Sequence, residues 1–197
     1  INYNEWTNRD APLFIEKNGR LYVNPDAVDG KDSDGNGYVD DVIGMNFQTA
    51  DGTAANDPHG SQINYHGTAV TGVAAGVTNN NEGISSISWN VKFVPTKHSL
   101  NNDPDTRLYN LEQGLWYLIT NGVDIINASW GSDSYSQTES DIIQYIQNMG
   151  IIFITAAGNN TNNNELDFPS SFPGVVSVAA VNTNDMRTSY TLFGDYV

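Results

Sequence analysis

Cysteine is absent from the sequence, which has 197 residues. This absence excludes disulfide bonds, thiolate metal ligands and a cysteine nucleophile. The sequence also lacks any apolar run of the roughly 20 residues that a membrane-spanning helix requires, so we predict no membrane span. It opens on Ile1 without the basic and apolar regions of a signal peptide, which by itself does not decide whether the protein is secreted.

Positive charge is scarce as well. The 8 Lys and Arg residues stand against 23 Asp and Glu residues, and the formal net charge is −15 at pH 7. Because such a surface repels a phosphate backbone, we expect no nucleic-acid partner. Acidic loops attract cations, so this composition is compatible with bound metal ions.

Two kinds of sequence make up what we predict to be a single, partial domain over residues 1–197. Residues 1–58 are acidic and carry turn signals such as Asp29-Gly30, which indicates a loop-rich region. Residues 59–197 alternate apolar strands with helical patterns, which favours an α/β fold with a mostly parallel, twisted sheet and helices on both faces, in three layers. No glycine-rich phosphate loop follows any of these strands, which argues against a nucleotide-binding domain.

The helices and strands of residues 59–197 are predicted from periodicity and from end signals. A helix of small and β-branched residues at 66–76 is expected to be buried against the sheet. Two more helices are expected, one capped by Asp105 or Thr106, the other begun by a Thr138–Asp141 capping box and ended by Gly150. The predicted strands span 91–95, 123–127, 151–154 and 175–179.

Polar and small residues follow two of the predicted strands. Functional residues of a parallel sheet lie just beyond the carboxyl ends of its strands, so Ser129-Trp130-Gly131 and Gly158-Asn159 are expected together on one edge. The Asn159 amide suits a hydrogen bond to an oxyanion because it stays neutral. The ordinary alternative is a polar turn after a buried strand.

A histidine opens the first predicted helix. His66 stands in the first turn beside Gly67, where it is exposed and a substrate can approach it closely. The alternative is a surface histidine, since short motifs often arise by chance. We interpret the other two histidines, His59 and His98, as structural or surface residues.

In this order the segments resemble the blocks of the subtilases, the subtilisin-like serine peptidases. The family's His-Gly-Thr-His-Val-Ala-Gly block is similar to His66–Gly72, and its Ala-Ala-Gly-Asn block is matched at Ala156–Asn159. Its Asn-x-Ser-x-Gly strand is matched at Asn127–Gly131, and residues 168–181 are similar to the Tyr-Pro-rich stretch that follows in the family. The resemblance covers the chain from about Asp32 to its end.

The resemblance implies a secreted or cell-surface serine endopeptidase that hydrolyses polypeptides through a Ser-His-Asp triad. Its implied catalytic residues are His66, as the general base, and Asn159, as a donor to the oxyanion. The implied substrate-binding residues are Ser129, Trp130, Gly131, Ala157 and Gly158. The backbone of the first three would pair with the substrate as an added strand, and the last two would form a wall of the primary specificity pocket.

The chain departs from the family pattern in two blocks. Neither the Gly-Thr-Ser-Met-Ala block that carries the nucleophile nor the Asp-(Ser/Thr)-Gly turn is present, and Asp10 and Asp57 are poor substitutes for the latter. Ala69 also replaces a second histidine of the family. We therefore expect the chain by itself to be inactive, with the missing parts of its own catalytic domain as partners. A non-catalytic, subtilase-like binding or scaffolding domain is the alternative, which the flanking sequence would decide.

The acidic loop over residues 32–41 has the spacing of a calcium loop. Oxygen ligands recur at alternate positions and a glycine stands at the sixth, as in loops that wrap Ca²⁺. Ile43 occupies the position of the usual bidentate acid, so Asp41, Asp29 or water would complete the shell. Many subtilases carry a similar loop, which implies structural calcium, and a solvated acidic turn is the alternative. The predicted metal ligands are Asp32, Asp34, Asn36, the Tyr38 carbonyl and Asp40.

Overall fold

The computed structural model describes residues 11–48, 58–60, 64–101, 107–159 and 166–197. The chain divides into two compact units, Ile1–Asn121 and Gly122–Val197, and each is described by itself. Together they contain α-helices and parallel strands, so the predicted α/β class is confirmed. Within these ranges, no helix has the length and hydropathy needed to cross a membrane.

The first unit begins with a β-hairpin. Strands β1 (Phe14–Lys17) and β2 (Arg20–Val23) pair antiparallel. The turn residues Asn18 and Gly19 both have positive φ angles, 54° and 74°, which is the conformation that two-residue hairpin loops require. A short 3₁₀ helix, Pro25–Ala27, follows, and a small core of Leu13, Ala27 and Val42 lies beneath these elements.

A second core of the first unit is aromatic. Strands β3 (Met45–Asn46) and β4 (Thr96–Lys97) pair in parallel, and Met45, Phe47 and Tyr117 form the buried cluster beside them. Val94 packs against this cluster but belongs to no strand. The predicted strand at 91–95 is therefore wrong: the pairing begins at Thr96, one residue after the predicted strand ends.

Two helices belong to the first unit. Helix α1, His66–Ala75, confirms the predicted helix, although none of its residues is buried. Helix α2 spans Leu111–Thr120. The predicted caps Asp105 and Thr106 lie outside the described residues, and Leu108, expected within the helix, instead forms a β-bridge with Ser99.

The second unit is a three-stranded parallel sheet. Its strands β5 (Ile125–Ala128), β6 (Ile152–Ala156) and β7 (Val176–Val178) pair in that order, near the predicted positions. Helix α3, Gln137–Asn148, packs on β6 and buries Ile142, Ile143 and Ile146. Its N-cap is Ser136, whose hydroxyl accepts the Glu139 N–H at 3.3 Å, so the predicted Thr138–Asp141 capping box is displaced by two residues. The opposite face of the sheet carries the exposed side chains of Ile125, Ile152, Val176 and Val178.

Candidate functional site

The acidic loop folds around its first carboxylate. Asp32 Oδ1 accepts the N–H groups of Gly35 and Asn36 at 2.7 and 3.1 Å, and Oδ2 accepts that of Gly37 at 2.8 Å. Burial tends to raise the pKa of Asp32, but hydrogen bonds from Gly37, Gly35 and neighbouring groups outweigh it and hold that pKa below the ordinary value. Both oxygens of the Asp32 carboxyl thus accept backbone N–H groups and fix the conformation of the loop.

Three other polar side chains of the loop converge. The Asn36 amide Nδ2 donates to Asp34 Oδ2 at 3.3 Å and to Asp41 Oδ2 at 2.9 Å. Asp41 is completely buried, and its charge adds to burial in raising the pKa of Tyr117 above its ordinary value. A partly positive amide therefore stands between two carboxylates, a position that a cation also favours.

Asp40, another predicted ligand, makes its hydrogen bonds outside this convergence. The Asp40 carboxylate accepts the N–H groups of Asp29 and Gly30 at 3.0 and 2.9 Å and so holds a separate turn. The Tyr38 N–H donates to Asn36 Oδ1 at 2.8 Å. In the part of the chain that the structure describes, no three His, Asp or Glu side chains are arranged to hold a metal ion. Asp34 and Asp41 thus direct carboxylate oxygens at one amide nitrogen, and Asn36 could serve as an oxygen ligand only if its amide turned over.

The histidines of the first unit have different surroundings. His66 is the first residue of α1 and its side chain is exposed. The ring of His98 instead stacks on Phe47, with centroids 5.5 Å apart, and its Nδ1 lies 2.8 Å from the Tyr109 carbonyl oxygen. Burial lowers the pKa of His98. His66, like His59, is thus exposed, whereas His98 is a packing residue.

The second unit brings the two predicted substrate-binding segments to one edge. Ala128 and Thr155 are paired in register, so residues 129–131 and 157–159 leave β5 and β6 at the same end of the sheet, as expected. The buried Thr155 hydroxyl donates to the Ala128 carbonyl at 2.8 Å and ties the two strand ends together. Beyond Thr155, the Ala157 N–H donates to the Val178 carbonyl at 2.9 Å.

The turn after β6 presents an exposed amide. Gly158 has a φ of 107°, which only glycine adopts without strain, and its carbonyl accepts the Leu192 N–H at 3.0 Å. Asn159 follows and is exposed. A neutral donor on a fixed turn fits the role of an oxyanion ligand. Its proximity to His66, which belongs to the other unit, stays a prediction.

Asp167 joins the two segments and was missed by the sequence patterns. A Cβ atom on Gly131 would stand 2.9 Å from Asp167 Cγ, and a Cβ on Gly158 would stand 2.6 Å from Asp167 Oδ2. The carboxyl therefore fills space that only two glycines leave open. No pattern distinguishes it among the 23 acidic residues, although it directly precedes the Phe168–Pro169 segment of the fourth block.

The carboxyl of Asp167 has an incomplete set of partners. Burial raises its pKa, the Ser132 backbone amide lowers it, and the negative charge of Asp133 raises it further. Among the described residues, its buried Oδ1 has no hydrogen-bond partner. Within the described ranges, the site thus holds a half-buried acid without a counter-charge.

Known proteins similar to this chain are peptidases. The profile of the Subtilase family matches residues 23–197. A thermophilic serine proteinase of Bacillus sp. (strain AK1) is 30% identical over 185 residues, which cover 94% of this chain and 42% of the relative. The Minor extracellular protease Epr of Bacillus subtilis (strain 168) is 31% identical over 134 residues, which cover 68% of this chain and 20% of the relative. This chain spans less than half of the length of either.

A solved structure gives the same picture of the fold. A protease from Pseudoalteromonas arctica PAMC 21717 matches with a TM-score of 0.64 and 25% sequence identity, over 78% of this chain and 54% of that chain. The overlap supports the assignment of both the parallel strands and the helices to one known α/β fold.

Proposed function

Since the chain belongs to the subtilase family, we propose that it serves as part of a serine endopeptidase that cleaves polypeptides by acyl transfer. The observation that carries this proposal is the edge of the second unit, where Gly131 and Gly158 leave two paired strands and Asn159 presents an exposed amide. Such an edge offers backbone to bind a peptide and a donor for the charge that develops during attack.

His66 acts as the general base in this proposal. It removes the proton from a serine hydroxyl as the oxygen attacks the scissile carbonyl, and then gives the proton to the leaving amine. Asn159 donates to the oxyanion of the tetrahedral intermediate. No Gly-Thr-Ser block occurs among the 197 residues, so the nucleophile is proposed to come from outside them and the chain alone to be inactive.

The substrate is proposed to lie along the segment after β5. Ser132 exchanges two backbone hydrogen bonds with Phe168, at 2.9 and 2.8 Å, and is therefore occupied. Gly131, one residue earlier, is exposed, and Trp130 beside it is half-buried. An extended peptide can add to this segment as a further strand, with main-chain hydrogen bonds supplying affinity.

Three variants of the longer protein that carries this chain and a serine block test the roles. His66→Ala should lower kcat by at least about 10⁴-fold, and Asn159→Ala by about 10²–10³-fold with little change in KM, the sizes known for such residues in subtilisin-like enzymes. His59→Ala is the matched control, since His59 is also exposed, and should leave kcat unchanged. Full turnover by His66→Ala would refute the assignment. If the longer protein bound peptides but neither cleaved them nor reacted with a serine-directed fluorophosphonate, the result would instead support a non-catalytic domain.

A structural calcium ion is proposed for the acidic loop. The support is that carboxylate oxygens of Asp34 and the buried Asp41 converge on the Asn36 amide, because Ca²⁺ takes carboxylate oxygens and would also take the amide oxygen once Asn36 had turned over. Bound there, the ion would neutralise the buried charge and hold the loop. Secretion or display at the cell surface is also proposed, because one relative is an extracellular protease.

A further inference from the structure

Asp167 is held in place by its own backbone. Its carbonyl oxygen accepts the Ser170 hydroxyl at 2.8 Å and the Ser171 N–H at 2.9 Å. The next residue, Phe168, is tied to Ser132 by two backbone hydrogen bonds. The backbone that carries the carboxyl is therefore held in place, and a group that binds the carboxyl meets it in a defined position.

The space around the carboxyl is shaped by glycine on both sides. Gly131 belongs to the segment proposed to pair with the substrate, and Gly158 to the proposed wall of the specificity pocket. A side chain at either position would collide with Asp167, because the added Cβ would come within 2.9 Å of its Cγ or 2.6 Å of its Oδ2. The acid is thus in contact with both surfaces that a bound peptide would touch.

The charge on this acid has no cationic counterpart in the part of the chain that the structure describes. Within the described ranges, no Lys or Arg side chain pairs with it, and the neighbouring Asp133 adds negative charge. Arg187, in the same unit, has its guanidinium 3.5 Å above the Phe193 ring instead. A buried acceptor without a donor is costly, and a charged one more so, which leaves the site short of a positive group.

We propose that Asp167 determines the specificity of the peptidase by binding the side chain of a lysine or arginine residue of the polypeptide substrate. This inference rests on the proposed peptidase function. Arginine is the better fit, since its planar fork can donate to both carboxylate oxygens. The formal net charge of −15 would also draw cationic peptides toward the protein.

Two measurements test the proposal separately from the peptidase function. The first is the binding of two blocked tripeptide amides to the 197-residue chain, alike except that one ends in arginine and the other in norleucine. The second is kcat/KM of the longer, serine-containing protein on peptides that differ only in this residue before the scissile bond. In both, arginine should be favoured by about 10- to 100-fold, the range of one or two charge-assisted hydrogen bonds.

Two variants test whether Asp167 causes the preference for arginine over norleucine. Asp167→Asn keeps the shape of the side chain and should reduce the arginine preference to less than about 3-fold while norleucine peptides are still bound and cleaved, which also shows that the variant is folded. Asp133→Asn removes a nearby charge and should retain the preference.

The outcomes separate the two ideas. Equal treatment of arginine and norleucine by the unaltered protein, or a full preference in Asp167→Asn, would overturn the role of Asp167 and leave the peptidase function standing. Failure to cleave any peptide would refute the peptidase function, and the binding pair would still decide on Asp167.

Discussion

Gly114 in helix α2 gives a direct test of packing. Alanine usually stabilises a helix, but at this position it should destabilise the protein. An alanine in a helix interior is normally better than glycine by about 0.5–1 kcal/mol. At Gly114, however, the new Cβ would stand 2.5 Å from His98 Nε2. The His98 ring cannot easily retreat, since it stacks on Phe47 and its Nδ1 lies 2.8 Å from the Tyr109 carbonyl oxygen.

Overpacking of this kind costs about 1–3 kcal/mol, which exceeds the gain in helix propensity. For a chain of this size the melting temperature should fall by about 2–4 °C for each kcal/mol. The matched control is Gly72→Ala in helix α1, where the added Cβ meets nothing within 4 Å, and it should raise the free energy of unfolding. Thermal melts followed by circular dichroism measure both, and the double variant Gly114→Ala/His98→Ala should cost less than the sum of the singles. If Gly114→Ala stabilises the chain as Gly72→Ala does, the packing argument is wrong.

Three other predictions concern titration, calcium and capping. Burial lowers the pKa of His98 below 6.5, so on acidification the unfolded state binds the proton before the folded state does. The free energy of unfolding should therefore be independent of this group above about pH 6.5 and should fall as the pH drops toward the folded pKa. His98→Gln should flatten this part of a denaturation series, and an unchanged slope would contradict it. Chelation of Ca²⁺ should lower the melting temperature. If the ion had been at a hundred times its Kd, the free energy of unfolding should fall by about 2.7 kcal/mol. Asp34→Asn should abolish this response and Asp124→Asn keep it, whereas a response equal in both would rule out the loop. Ser136→Ala should cost about 1 kcal/mol by loss of the α3 cap, and Thr138→Ala much less, measured by urea unfolding; the reverse order would favour the Thr138 cap.

The sheet of the second unit could be predicted because its signals are local. The β-branched runs that form β5, β6 and β7 stand at the positions that the sequence indicates, and the strand ends then fix where residues 129–131 and 157–159 lie. The cap of α3 was harder to predict. Ser136 and Thr138 both stand three residues before an acid, and the extended backbone of Ser136, with φ −122° and ψ 121°, decides between them.

The errors of prediction come from contacts between distant residues. Leu108 fits the helical stripe of α2, but its pairing with Ser99 removes it, and Asn110 at φ 53° prevents an earlier start. Asp40 has the spacing of a calcium ligand, yet it binds the turn at Asp29. Asp167 lies beside Gly131 and Gly158, which are distant from it in sequence, and the Ser132–Phe168 bridge that joins these segments is not revealed by any local pattern.

The open apolar face of the second unit's sheet determines how readily copies of the chain associate in solution. Ile125, Ile152, Val176 and Val178 are each about half accessible to water there. At low ionic strength the net charge of −15 keeps copies apart, since like charges repel over about 10 Å in 0.1 M salt. In 1 M salt that distance shrinks to about 3 Å, while the attraction between aliphatic surfaces persists. Turbidity should therefore appear as salt is added, and sooner in sodium sulfate than in sodium chloride, because sulfate strengthens apolar association.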